Sequence, residues 1–276
     1  MEWNCKNISE LLHQSAMNVF AHRDEASWDL KDDGSLVTKV DTSNEQFLRE
    51  NLTADGSFFL GEETIYQLGE AYVRKALAGT TYVVDPIDGT APFAHRWPTW
   101  AISVGKMVSG TLVDGAVILP DFDECLMTEG PRVLLAHGIR KPSNSWQWQE
   151  LTPPPNTWSP GGMIITGQDY TKKHTFDIPN PVFAPGSAVQ SLSGILTRRA
   201  IAYIGHMKLW DIAGILPMLE RLGIQTILFD GTPVTTKLSS KCFVMDLSSK
   251  KCWHPTQSIL CDMPEVCKQL IPILQK

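Results

Sequence analysis

Asp85 and Asp88 stand three residues apart in "DPIDGT", directly after the hydrophobic run "TTYVV" and directly before a helix-like segment. A neutral turn would serve a buried strand equally well, so two carboxylates at its mouth point to chemistry. Two other stretches place acids where a strand or loop meets a helix: Glu62 in "GEET" (61–64) and Asp211 in "WDIAG" (210–214). Gathered at one site, Glu62, Asp85, Asp88 and Asp211 bring several negative charges together. Two unit charges ~4 Å apart repel by about 4 kcal/mol at an effective dielectric of ~20. Divalent cations supply the counter-charge, and hard oxygen ligands select Mg²⁺ over zinc or copper. Asp85 can bridge two ions, and a tight turn aims the Ile87 carbonyl the same way.

The residues that follow add an anion site. Pro92 suits the first turn of a helix that starts near Gly89-Thr90. The N–H groups of such a start, with the helix dipole behind them, hold a phosphate. Metal ions on one side of a phosphate and backbone donors on the other make a phosphoryl-transfer site. One ion then activates a water and the other stabilises the leaving oxygen. Phosphomonoesters are among the slowest reactions to proceed uncatalysed, so this much electrostatic help is warranted.

"GEET", "DPIDGTAPFAHRWPTWAISVG" and "KLWDIAG" resemble the inositol monophosphatase family, Mg²⁺-dependent and typically lithium-sensitive phosphatases, whose marks are GEE, DPxDGTxNFxHxxPxxxxSxG and WDxAG. "LVTKVD" at 36–41 extends the likeness toward the N-terminus. The resemblance implies that Glu62, Asp85, Ile87 (through its carbonyl), Asp88 and Asp211 bind two or three Mg²⁺ ions, with Mn²⁺ as an alternative. It implies that Glu62 and Thr90 orient the attacking water, with Asp41 hydrogen-bonded to Thr90 from behind. Asp88, Gly89, Thr90, Ala188 and Lys208 are the candidate substrate contacts, and Lys31, in the loop "DLKDDG", is placed over the metal site. A homodimer is implied as well.

The chain departs from the pattern in two places. Ala91-Pro92-Phe93 replaces the usual Thr/Asn-Asn-Phe, which alters the helix start and not the chemistry. Ile204 stands where inositol-preferring members carry a Glu, seven residues before Asp211. An isoleucine cannot accept a hydroxyl hydrogen bond, which argues against free inositol phosphate. Sugar or polyol phosphates, histidinol phosphate and 3′-phosphonucleotides are the other candidate substrates. A non-catalytic or regulatory protein that keeps the fold is the rival reading. Lys208 falls where many members have His and could meet a second anionic group.

A competing motif lies in "AVILPDFDEC", where a strand runs into Asp121-Phe122-Asp123. It looks like the Asp-x-Asp nucleophile of haloacid-dehalogenase phosphatases. That family wants Thr or Val where Cys125 stands, and the strand here belongs to a hairpin. His95 is read as packed and hydrogen-bonded behind the phosphate helix, and Trp210 as the residue that fixes Asp211.

The elements that must carry these residues follow from periodicity. Residues 7–22 read as an amphipathic helix capped at Asn7. A short strand in "SLVTKV" leads to a helix capped by Thr42 or Ser43. "GSFFL" and "TTYVVD" are strands, and "WAISVGKMVSGTLVDGAVILP" is a hairpin turning at Ser109-Gly110. "ECLMTEG" continues the same antiparallel sheet. The Pro-, Ser- and Asn-rich stretch 141–160 is the boundary between halves, set as 1–145 and 146–276. Beyond it, the strands in "GMIIT", "AIAYIG" and "IQTILF" alternate with helices, one of them kinked by Pro217. A last helix is expected from Pro264 to about Leu270. The fold class is α/β (α+β): a layered αβαβα sandwich of the sugar-phosphatase type, with an N-terminal antiparallel sheet and a smaller C-terminal mixed-sheet half.

Composition sets limits on partners. The 276 residues are 43% hydrophobic and 20% charged, with a net charge of -6, which suits a globular protein and argues against nucleic acid. The N-terminus has no basic start or continuous apolar stretch, and no apolar run approaches the ~20 residues of a membrane span. A cytoplasmic location and a small phosphorylated metabolite as partner are expected. The six cysteines read as reduced core thiols. The spacing of Cys252, His254, Cys261 and Cys267 matches no common zinc finger.

Overall fold

The computed structural model describes residues 1–261 apart from 26, 33, 174 and 250. The helix expected from Pro264 lies outside the described residues, as does Cys267.

The N-terminal elements are α1 (Cys5–His22), β1 (Trp28–Leu30), β2 (Leu36–Thr38), α2 (Lys39–Leu52), β3 (Phe58–Gly61), α3 (Glu70–Ala78), β4 (Thr80–Asp88) and α4 (Thr90–Ala94). They continue with β5 (Ala101–Val108), β6 (Thr111–Leu119), β7 (Glu124–Glu129), β8 (Arg132–His137) and β9 (Gln147–Glu150). Strands β3 to β9 form one seven-stranded sheet in chain order. The β3–β4 pair is parallel and the other pairs are antiparallel. The β5–β6 hairpin turns where expected, with both Ser109 and Gly110 at positive φ, the backbone of a type I′ turn.

The remaining elements are β10 (Ile164–Thr166), α5 (Gln168–Thr171), β11 (Val182–Phe183), α6 (Ala188–Leu196), β12 (Ala202–Gly205), α7 (Leu209–Ala213), α8 (Leu216–Arg221), β13 (Thr226–Leu228) and β14 (Ile259–Cys261). A second, five-stranded sheet runs β11-β10-β12-β14-β13. It is mixed: β10 is parallel to β11 and β12, whereas β14 is antiparallel to β12 and β13.

Strand alternation sorts the core into layers. Tyr82, Val84, Ile102 and Val104 of the first sheet pack with Leu12, Val19 and Leu48 of α1 and α2. Val83, Val117 and Leu126 face the other way, onto α3, α6, α7 and α8, which also cover Ile165 and Tyr203 of the second sheet. The outer face of that sheet, with Ile164, Ala202 and Ile204, is closed by Tyr170 of α5. The order is therefore helix, sheet, helix, sheet, helix.

Three local expectations are corrected. The first helix starts at Cys5 with Asn4 as its cap, the Asn4 side chain accepting from Asn7 N at 2.9 Å. Helix α2 is capped by Thr38, and not by Thr42 or Ser43. Thr38 and Asp41 form a reciprocal capping box, which the sequence disguises because the acid at N3 is Asp and not the usual Glu. Pro217 does more than kink a helix: the segment divides into α7 and α8, with the proline in the first turn of α8. There its missing N–H costs nothing.

Candidate metal and phosphate site

Strict alternation would send Asp85 and Asp88 to opposite faces of β4. The pairing with β5 prevents this, because Asp85 lies opposite Ser103 and Asp88 opposite Ala101. Three steps on β4 span two on β5, so the chain bulges at Pro86-Ile87 and both carboxylates emerge on one face. The strand then turns through Gly89 in the left-handed region (φ 88). A side chain there would be strained, and its Cβ would also meet the Thr99 carbonyl at 2.7 Å.

Asp211 arrives on α7, where its carboxylate accepts from Lys208 N at 2.8 Å. The helix can reach the sheet because Gly105 and Gly115, paired opposite each other, leave it room. A Cβ on Gly105 would lie 2.5 Å from the Ala213 carbonyl. With that close approach, Asp85, Asp88 and Asp211 offer oxygens that all lie within 4.8 Å of one another.

The other predicted residues surround this trio. Glu62, at the end of β3, donates its N–H to the Val84 carbonyl at 3.1 Å. Its carboxylate pairs with Lys31 at 3.2 Å. Lys31 also reaches Glu63 at 2.8 Å. Ile87 is buried, and its carbonyl accepts from Thr90 Oγ1 at 3.1 Å. The same hydroxyl faces Asp41 Oδ1 at 2.9 Å. Ala188 and Lys208 line a cavity of about 260 Å³ together with Asp88 and Asp211. The Ala188 N–H is engaged by Asp88 at 3.1 Å. Lys208 Nζ sits 5.3 Å above the Trp210 ring, and Trp210 is fully buried beside Asp211.

Crowding shows in the acid strengths. Burial, then the charges of Glu62, Asp88 and Asp211, raise Asp85 well above the ordinary carboxylate range. Asp211 is raised likewise, by loss of hydration and then by Asp88 and Glu62. Asp88 rises only to about 6, because bonds from Ser187 and from Val189 and Ala188 N–H oppose its burial. Burial lifts Asp41 to about 6 against bonds from Thr38 and Thr90. Glu63 reaches about 8 through burial and Glu62, with Lys31 opposing. For Lys31, burial is outweighed by Glu62 and Glu63, which hold its ammonium charged. Electrostatic strain of this kind invites a cation, and an all-oxygen donor set on several elements fits Mg²⁺.

The inositol monophosphatase family matches residues 4–271. The chain belongs to that family. Inositol monophosphatase 2 of Saccharomyces cerevisiae is 44% identical over 101 residues, 36% of this chain and 33% of that protein, so the match spans about a third of the yeast relative. Inositol-1-monophosphatase of Bacillus subtilis is 27% identical over 215 residues, 72% of this chain and 75% of that protein. Among solved structures, an IMPase/NADP phosphatase superposes with a TM-score of 0.74 at 18% identity, over 98% of this chain and 94% of the other. The inositol monophosphatase family is one of phosphatases, and the layered α/β architecture is its fold.

Against that family pattern, Ile204 is fully buried on the outer face of the second sheet, paired between Thr166 and Leu260. It offers the cavity no acceptor. His95 is corrected: it is exposed and meets the Trp28 ring edge-on at 6.2 Å, and is not packed behind α4. Cys5 is only half-buried, whereas Cys125, Cys242, Cys252 and Cys261 are buried.

The Asp121–Asp123 motif has a structural occupation. Asp121 accepts from Arg23 at 2.7 Å, Trp100 Nε1 at 2.6 Å and Arg140 at 3.3 Å. Asp123 sits at positive φ and accepts from Gly138 N at 3.1 Å.

Sequence reasoning missed two supports. Ser187, the cap of α6, donates to Asp88; the Gly-Ser pair before an apolar helix was the available signal. Glu45 holds the "GEET" loop by accepting from Glu63 N at 2.8 Å and Thr64 Oγ1 at 2.5 Å, and nothing in its spacing announces this.

Proposed function

We propose that the chain is a Mg²⁺-dependent phosphatase that hydrolyses a small phosphate monoester by direct attack of water. The observation that carries this reading is the meeting of Asp85, Asp88 and Asp211 at the same turn that sets Thr90 against Asp41. Asp85, Asp88 and Asp211 would hold the ions, with Glu62 and the Ile87 carbonyl completing the donor set. Divalent ions, when bound there, supply positive charge against the negative charge that builds up on the reacting oxygens. A solved relative by fold, the IMPase/NADP phosphatase, was obtained with Mg²⁺ and phosphate, which supports the choice of ion and ligand.

The chain's own groups handle the water and the phosphate. The Thr90 hydroxyl, when it donates to Asp41, keeps lone pairs that accept a bond from an attacking water. Asp41, poised near pH 6, is placed to take up a proton passed through Thr90. Backbone N–H groups of Gly89 and Thr90 would receive the phosphate. Free inositol phosphate is disfavoured by Ile204, which leaves sugar or polyol phosphates, histidinol phosphate and 3′-phosphonucleotides as candidates. Among the described residues no helix is long and apolar enough to cross a membrane. A cytoplasmic homodimer, divided near 145/146 with β9 closing the first sheet just beyond, belongs to the same proposal.

A phosphate-release screen over a panel of phosphomonoesters, with Mg²⁺ and with EDTA, tests it. Release that depends on Mg²⁺ is expected. Release from no compound would leave a non-catalytic binding or regulatory protein of the same fold, and release that survives the chelator would refute the metal assignment.

A further inference from the structure

The cavity lined by Asp88 and Asp211 reaches the carboxyl ends of two parallel strands, β10 and β12. Parallel sheets of α/β proteins bind ligands outside such ends, where residues of adjacent strands converge. Thr166, the last residue of β10, and Tyr203, two residues from the end of β12, both line the cavity. Both are 1% exposed. Each adjoins Ile204: Tyr203 precedes it in the chain, and Thr166 is paired with it across the sheet. The position that offers no acceptor is therefore bracketed by two hydroxyls.

The backbone makes room for the tyrosine. Its ring packs in the core shared by the two sheets, and its hydroxyl lies beside Gly205 and Gly167, the second of which also lines the cavity. A Cβ on Gly205 would stand 2.4 Å from that hydroxyl, and one on Gly167 would stand 3.4 Å from it. A larger residue at 205 would push the phenol out of place. The threonine carries a different mark. Its buried Oγ1 has no hydrogen-bond partner among the described residues. A hydroxyl left in that state is costly unless a ligand or water satisfies it. Both side chains are neutral and can donate and accept, which matches a hydroxyl on a ligand better than a charged group.

We propose that Tyr203 and Thr166 are specificity-determining residues that bind hydroxyls on the substrate's carbon skeleton, so that the natural substrate is the phosphomonoester of a polyol or sugar. This rests on the phosphatase reading above and deepens it. The phosphate lies at the Gly89-Thr90 turn, and the polyol lies along the strand ends. Bonds from β10 and β12 there take the place of the carboxylate that Ile204 lacks.

Sorbitol 6-phosphate and n-hexyl phosphate test the idea at saturating Mg²⁺. Both have a six-carbon chain, and only the first carries free hydroxyls. The leaving alcohols differ in acidity, but that difference cancels when variant and parent are compared. We expect kcat/KM to favour sorbitol 6-phosphate, and Tyr203→Phe and Thr166→Val each to cut that preference by about tenfold, the scale of one hydrogen bond. The loss should fall on KM. Thr166→Ser, which keeps the hydroxyl, should keep the preference. Without ligand, Thr166→Val should melt no lower than the parent, because it removes a buried hydroxyl that lacks a partner. A lower melt, equal use of the two probes, or a preference that either variant leaves intact overturns the proposal. Calorimetric binding of both probes to Thr90→Val, alone and combined with Tyr203→Phe, gives the same ratio without turnover. Failure of all hydrolysis with the binding ratio preserved counts against the phosphatase reading, whereas a lost ratio, or no binding of either probe, counts against the hydroxyl pair.

Discussion

Thr90 of α4 and Asp41 of α2, 49 residues apart, face each other at 2.9 Å between Thr90 Oγ1 and Asp41 Oδ1. Neither residue can be replaced by an isostere without losing that bond's polarity. Thr90→Val and Asp41→Asn should each lower kcat by roughly 10²- to 10⁴-fold, the range for lost acid–base help. KM and Mg²⁺ affinity should change little, and Thr90→Ser should keep much of the rate. Steady-state kinetics over a Mg²⁺ series gives the answer; an effect confined to KM would remove the pair from the chemistry.

The acid trio should behave oppositely toward activity and stability. Asp85→Asn and Asp211→Asn are expected to abolish phosphate release. Each removes a carboxyl whose ionisation is opposed by burial and by its neighbours, so the chelated variants should be more stable than the chelated parent, by on the order of 0.5–2 kcal/mol. Thermal melts in EDTA check this. Variants that melt lower than the parent in EDTA would mean that the carboxylates are already compensated without metal.

A pH dependence with a definite sign follows. Asp88 and Asp41 hold protons up to about pH 6 in the native state, and Glu63 up to about 8. The unfolded chain releases the same protons near pH 4. Between those limits the native state binds more protons, so stability of the metal-free protein falls as pH rises from about 4 to about 8. Urea unfolding in EDTA at several pH values should show the decline, and Mg²⁺ should flatten it. Stability that climbs over this range in EDTA would contradict the crowding.

Asp121→Asn separates the competing motif from the site. It should leave hydrolysis nearly intact, since Asp121 serves Arg23 and Trp100. It should cost about 1–3 kcal/mol of stability, because a half-buried guanidinium loses its counter-charge. Loss of activity with unchanged stability would reverse the assignment and point to an Asp-x-Asp nucleophile.

How much of this was legible beforehand varied with the reach of the interaction. The acids were readable because strand, turn, Gly89 and helix start follow one another without interruption, and each step has a local cause. The Ser109-Gly110 hairpin was readable for the same reason. The cap of α2 was misplaced because Thr42 and Ser43 are equally good cap residues by type; only the Thr38–Asp41 bonds select among them. His95 was misread because its neighbour Trp28 comes from a strand far up the chain.

The sequence by itself determined which residues are acidic and which segments become strands, turns and helix starts, since those follow from side-chain type and short-range periodicity. Only the tertiary structure decided that a bulge turns Asp85 and Asp88 to one face and that Gly105 and Gly115 let α7 bring Asp211 to them. These are contacts between segments far apart in the chain. They depend on how closely two backbones can approach, which no local pattern of residues records.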